Sequence, residues 1–152
     1  MTLIVMSGLP GSGKSTVAKR LAADLGCAVI SVDTIERGLH EAGVDACQPI
    51  GLAAYAVANR LVDVQLSLGH AVIADAVNHH PDARQAWLDP ATAHGVDLRV
   101  LHVECSDEVL HRERLATRMH DLRVVPWERV VSLRETRTPR PVDVETVETG
   151  PT

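Results

Sequence analysis

Short apolar runs alternate along this chain with longer stretches of helical period. Leu3 to Met6, Ala28 to Ser31, Ala71 to Ala74 and Leu98 to Val103 each read as a strand of four to six residues. Between them, Lys14 to Leu25 reads as a helix stopped by Gly26, and Asp33 to Glu41 as a shorter helix closing at Gly43. Pro49 to Leu68 is a long Ala-rich helix with proline at its first turn and Gly69 at its end. Pro81 to Ala93 is helical, with a break or an end near Pro90. Ser106 is expected to cap a helix opened by Asp107 and Glu108 that runs to about Arg118, and another helix spans Pro126 to about Arg134. From Thr136 to Thr152 the pattern weakens: Pro139 and Pro141 break helix, and Val142, Val144 and Val147 make either a last strand or a loose, irregular tail.

Strands that alternate with helices predict an α/β fold, a parallel sheet with helices on both faces. Ligands of such sheets sit beyond the C-terminal ends of the strands. The chemistry is therefore expected just after Met6, Ser31, Ala74 and Val103. With 152 residues and no repeat, one domain spanning 1–152 is expected.

The residues after Met6 carry that chemistry. Gly8-Leu9-Pro10-Gly11-Ser12-Gly13-Lys14-Ser15 fits G-x-x-x-x-G-K-[ST] between a strand and a helix. Gly8, Gly11 and Gly13 allow backbone torsions that turn successive N–H groups inward, an anion nest at a helix N-terminus. Lys14 can reach the β- and γ-phosphates, and the Ser15 hydroxyl can ligate Mg2+. The loop, from Gly8, Pro10 and Gly11 through Ser12, Gly13, Lys14, Ser15 and Thr16, is predicted to hold ATP or a close relative. A phosphate loop does not itself separate a kinase from an ATPase or a switch.

Two acids stand at the next strand ends. Asp33, in SVDTIER, would face the loop across the sheet edge and could take the proton of an acceptor hydroxyl, or it could cap a helix. Arg37, four residues on, binds an acidic substrate group or pairs with Asp33 or Asp45. Asp75 ends the run Val72-Ile73-Ala74, where a Walker-B carboxylate reaches Mg2+ directly or through water, or orients the acceptor. Asn78 either holds that loop or touches substrate. Late in the chain, Arg112, Arg114, Arg118, Arg123 and Arg129 form a cluster. Arg114 and Arg118 share a face and could form a lid over the transferring phosphoryl group, whereas Arg112 reads as a solvated partner of neighbouring acids.

Composition narrows the reading. Tyr55, Trp87 and Trp127 are the only aromatic residues besides histidine, so the core must be Ala, Val, Leu and Ile, as suits a buried parallel sheet. The tryptophans are expected to pack rather than stack on bases. A net charge of −5 disfavours indiscriminate nucleic-acid binding while leaving room for a local basic groove. Cys27, Cys47 and Cys105 are too few and too scattered for a disulfide framework or a zinc site, and a reducing cytoplasm is the expected setting. The eight histidines show no metal-ligand spacing. The apolar start lacks a basic leader, and no run reaches membrane-spanning length, so no membrane partner is expected.

With these residues in hand, the chain resembles the small P-loop kinases of the zeta-toxin and polynucleotide-kinase-like group, in particular the kinase half of phage-type polynucleotide 5′-hydroxyl kinases. The similar stretches are GLPGSGKST at 8–16, SVDTIERGL at 31–39, VIADAVN at 72–78, PDARQAW at 81–87, RLATR at 114–118 and VVPWERV at 124–130. The resemblance implies a three-layer P-loop fold with about five strands in the order 2-3-1-4-5 and an Arg-bearing lid helix. It implies Asp33 as the acid that activates the acceptor hydroxyl, Asp75 as a substrate-site acid and Arg118 as the lid arginine. Lys14 and Arg118 are expected to join Asp33 in catalysis, Arg114 to meet the nucleotide, and Arg84, with Arg37, Asp75 and Asn78, to meet the substrate. Glu36 stands where the family commonly has arginine, which argues against a nucleic-acid 3′-phosphate as the gripped group. The family also continues into a further helix, so the C-terminal edge is expected to be truncated or covered by a partner. The expected activity is transfer of the γ-phosphate of ATP, with Mg2+, to a hydroxyl of a small-molecule or nucleotide-like acceptor. The rival readings are a polynucleotide 5′-hydroxyl kinase and an ATP-dependent switch without an acceptor.

Overall fold

A computed structural model describes residues 1–45, 47–78, 80–117, 127–135 and 144–151. Arg118 and Arg123 lie outside the described residues. The elements are β1 (Thr2–Ser7), α1 (Lys14–Leu25), β2 (Ala28–Ser31), α2 (Val32–Glu41), α3 (Ile50–Ser67), β3 (Val72–Asp75), α4 (Pro81–Ala93), β4 (Asp97–Glu104), α5 (Glu108–Thr117), α6 (Trp127–Glu135) and β5 (Val144–Glu148). The strands form one parallel sheet in the order β2-β3-β1-β4-β5.

Burial follows that order. Central β1 and β3 are buried almost throughout, while edge strand β2 is only half-buried. Two apolar clusters cover the two faces. On one, α1 lays Ala18 and Ala22 against Ile4, Met6, Ile73 and Val103. On the other, α3 presents Ala54, Ala58, Val62 and Leu66 to Leu3, Val72 and Ala74, joined by Val32 of α2 and Trp87 of α4. The four-residue spacing of that α3 row and its small alanines bring the helix close to the sheet.

The structure changes two local expectations and decides a third between its alternatives. Helix α4 runs through Pro90 to Ala93 without a break. Proline there frees the carbonyl four residues back, Ala86 O, and the Asn59 side-chain amide donates to that oxygen. The N-cap of α5 is Asp107, whose carboxylate accepts from the Leu110 N–H at 3.1 Å. Ser106 is instead drawn to the sheet edge, where its N–H and hydroxyl both donate to Glu148 Oε1, at 2.8 and 2.9 Å. Of the late valines, Val144 and Val147 lie in a strand over Val144–Glu148, paired in parallel with Val100–Glu104, and Val142 lies outside the described residues. An exposed Arg99–Glu145 ion pair at 2.8 Å adds to its register.

Trp87 is the largest fully buried side chain and joins three elements. Its indole N–H donates to Asn78 Oδ1 at 2.7 Å, and its ring lies 6.3 Å from that of Tyr55. Trp87→Ala is expected to cost about 3–5 kcal/mol of unfolding free energy. Trp87→Phe should cost about 1–3 kcal/mol, because it strips a buried acceptor of its donor. Urea unfolding of the three proteins checks both values.

Candidate active site

The loop between β1 and α1 is closed by backbone that only glycine can supply. Gly8 has φ 144°, and a Cβ there would stand 2.3 Å from Val103 O, so β1 and β4 could not stay paired at the loop's entry. Gly13, with φ 96°, is the N-cap of α1 and offers no side-chain cap, which leaves the first N–H groups of the helix to face a ligand. Ser12 and Lys14 are buried in the loop. The Lys14 ammonium folds back to donate to Leu9 O at 3.2 Å. Thr16 is exposed on the next turn.

Beside the loop, the Ser15 hydroxyl donates to Asp75 Oδ2 at 2.7 Å. Asp75 is 4% exposed, and its buried Oδ1 has no hydrogen-bond partner among the described residues. An unsatisfied buried carboxylate oxygen is costly, and a bound cation offsets that cost. One hydroxyl and one carboxylate next to a phosphate cradle suit Mg2+, which keeps most of its shell as water and phosphate oxygens. The two residues named from the sequence as metal ligands, Ser15 and Asp75, are therefore brought together, and their donor set fits the ion.

Asp33 stands in the first turn of α2, two residues beyond Ser31, which is paired in register with Asp75. Its alternative role as N-cap is taken by Ser31, whose hydroxyl oxygen accepts from the Thr34 N–H at 3.3 Å. Tyr55 of α3 faces the same group of acids. Burial pushes its phenol up to about 12, with the charges of Asp33, Glu36 and Asp75 adding to the effect. Tyr55 therefore stays a neutral phenol, and its oxygen accepts from the Asn78 N–H at 3.1 Å. Nothing in the spacing of the long helix marked it.

Asn78 is used by the fold. Its amide donates to Met6 O at 2.7 Å, its carbonyl receives the Trp87 indole, and its backbone sits at φ 51°. Of the two roles offered by the sequence, the structure gives it that of holding the loop. Arg37 is exposed on α2. Arg112 pairs with Glu108 at 2.8 Å, four residues away, and stacks over Trp127 at 4.7 Å.

Arg114 reaches the loop from the other side. Its guanidinium donates to Thr149 Oγ1 at 2.8 Å and to Gly150 O at 2.9 Å. The Thr149 hydroxyl in turn donates to Ser12 O at 2.6 Å. These contacts fix a guanidinium beside Gly13, where a nucleotide's phosphates or base would pass. Thr149 lies in the stretch whose pattern was weakest, so sequence alone had no means of finding it.

His111 of α5 is the third contact missed in the sequence, after Tyr55 and Thr149. It is 1% exposed, and its Nε2–H donates to Pro10 O at 2.7 Å. That bond leaves Nδ1 as the acceptor of Arg134 Nη2 at 2.9 Å. Its ring meets Trp127 edge-on at 5.2 Å. Burial first, then the charges of Arg134, Lys14 and Arg114, holds the imidazole below its usual range. Neutral His111 thus joins the phosphate loop to α6. A depressed pKa means that this stability is fully present above the unfolded value of about 6.5 and is lost as pH falls through the folded one. Wild type and His111→Gln should therefore differ most in melting temperature near pH 7.5 and converge toward pH 5. A gap constant with pH would contradict the neutral assignment.

A cavity of about 370 Å3 opens beside Gly8 and Leu9. Arg84 of α4 lines it, together with Arg134 and Leu133 of α6 and the ends of β1 and β4. At the strand ends, His102 Nδ1 lies 3.3 Å from the Ser7 hydroxyl, and Nε2 lies 2.9 Å from Glu104 Oε1.

Comparison with known proteins agrees with this geometry. The family model described as AAA domain, AAA_33, matches residues 3–139. A cytidylate kinase of Ignicoccus hospitalis is 56% identical over 41 residues, 27% of this chain and 24% of that protein. The aligned stretches cover between 19% and 29% of the curated relatives. Among solved structures, Kti12 of Chaetomium thermophilum in complex with ADP-AlF3 superposes with a TM-score of 0.73 at 24% identity, covering 96% of this chain and 88% of its own. A gluconokinase from Sinorhizobium meliloti gives 0.69 at 18% identity, covering 99% and 84%.

Proposed function

The chain belongs to the AAA domain family AAA_33 and has a P-loop kinase fold, and from that premise we propose that it is an ATP- and Mg2+-dependent phosphotransferase acting on a hydroxyl of a small-molecule acceptor. The observation that carries the reading is the Ser15–Asp75 contact beside an uncapped helix N-terminus, with Asp33 just past the neighbouring strand. Relatives named cytidylate kinase and gluconokinase support a small acceptor.

In this reading the loop N–H groups and Lys14 hold the β- and γ-phosphates, and Arg114 steadies the nucleotide. Mg2+, held by Ser15 and Asp75, would neutralise phosphate charge. Asp33 accepts the acceptor's hydroxyl proton as its oxygen bonds to the γ-phosphorus, while the bond to the β-phosphate oxygen breaks and ADP leaves. Tyr55 stands by as a neutral donor near Asp33. Arg37 and Arg84 serve the acceptor, and Arg118 adds charge from the lid.

ADP release measured with a panel of sugars, sugar acids, nucleosides, nucleotides and 5′-hydroxyl oligonucleotides tests the proposal. Stimulation by a small acceptor is the expected result. Stimulation by oligonucleotides alone would replace the reading with a polynucleotide kinase. Tight ATP binding with no stimulation by any member would replace it with a switch.

A further inference from the structure

The cavity beside the phosphate loop carries more positive charge in its wall than the phosphate loop alone requires. Two guanidiniums, from Arg84 and Arg134, line it from separate helices, against one carboxylate, Glu104, among the described lining residues. Glu104 is already matched to His102 at 2.9 Å. Arg134 is held in place by the His111 ring nitrogen at 2.9 Å and by the face of Trp127 at 5.2 Å. The Nε of Arg84 is buried, so the root of its guanidinium lies inside the protein rather than extending into water. Two guanidiniums that line one space from separate helices repel each other, and an anion of matching geometry between them relieves that repulsion.

We propose that this cavity takes the acceptor, and that the acceptor is a small hydroxylated molecule carrying an anionic group, a carboxylate or a phosphate, bound between Arg84 and Arg134. The inference rests on the kinase reading for the word acceptor, and on the cavity alone for the charge. A volume of about 370 Å3 suits a small molecule. The hydrogen-bonded row Ser7–His102–Glu104 offers the same ligand hydroxyl, imidazole and carboxylate partners for its alcohol groups. Gly8 and Leu9 in the wall place the ligand next to the loop that holds the donor.

The test uses the protein saturated with Mg2+ and a non-hydrolysable ATP analogue, titrated calorimetrically with matched pairs. One set pairs aldonic acids with their parent aldoses, and the other pairs sugar phosphates and nucleoside monophosphates with the unphosphorylated compounds. The charged member of at least one pair should bind about tenfold or more tighter than its neutral partner. Which set responds separates carboxylate from phosphate. Arg84→Gln should erase that preference, a loss of about tenfold to a hundredfold, with the analogue's affinity unchanged. Arg84→Lys should restore only part of it, because a point charge replaces a fork. Equal binding of neutral partners, no binding by any charged member, or an unchanged ratio in Arg84→Gln would overturn the proposal. A neutral acceptor that stimulates ADP release would leave the kinase reading standing and sink the charge assignment. An anion that binds through Arg84 but never provokes ADP release would do the reverse.

Discussion

Asp33→Asn is expected to lower acceptor-stimulated ADP release by about 10^2- to 10^4-fold, with the affinity for ATP unchanged. The substitution keeps size and shape and removes only the capacity to take a proton. It should not unseat α2, because Ser31 rather than Asp33 caps that helix. Melting temperature is therefore expected to stay within a few degrees of wild type. Unchanged turnover in a folded Asp33→Asn protein would remove Asp33 from the chemistry and leave a nucleotide-dependent switch as the better account.

Asp75→Asn should act on the metal rather than on the acceptor. The carboxylate holds the Ser15 hydroxyl through Oδ2 and presents a buried, unmatched Oδ1. A cation at that oxygen is worth several kcal/mol of transition-state charge stabilisation, so turnover should fall by about 10^2-fold or more. The Mg2+ concentration for half-maximal activity should rise at the same time. The variant is also expected to be at least as stable as wild type without metal, because burying a neutral amide costs less than burying a lone carboxylate. A large loss of stability, or an unaltered Mg2+ requirement, would assign Asp75 to the architecture of the sheet edge instead.

Much of this was legible from periodicity and one motif. Apolar runs bounded by Gly26, Gly43 and Gly69 marked the strands and helices within a residue or two, because local patterning and helix stops are read over short distances. The phosphate loop and Asp75 were legible for the same reason: each sits where an apolar run ends in residues of defined chemistry. The errors have a common cause. Ser106 looked like a cap until Glu148, 42 residues away, was seen to hold it. Pro90 looked like a break, but the Asn59 amide donates to the Ala86 carbonyl that the proline frees. Thr149, Arg134 and His111 enter the site through partners far off in the chain, and no window of local sequence contains both halves of such a contact. Tyr55 was passed over because its environment of acids assembles only when α2, α3 and β3 come together. Arg118, the lid arginine implied by family resemblance, lies outside the described residues.

The hydrogen bond from Thr149 to Ser12 joins positions 137 residues apart. During synthesis at about 5–20 residues per second, the phosphate loop emerges and then waits roughly 7 to 27 s before that tether can form. Helix α1 can coil at once on local contacts, but the loop's far side cannot be fixed until β5 docks on β4, the slow kind of closure that long-range parallel pairing imposes. A nascent chain is thus expected to gain its nucleotide affinity late and in one step. ATP supplied cotranslationally would then favour only chains in which β5 has docked.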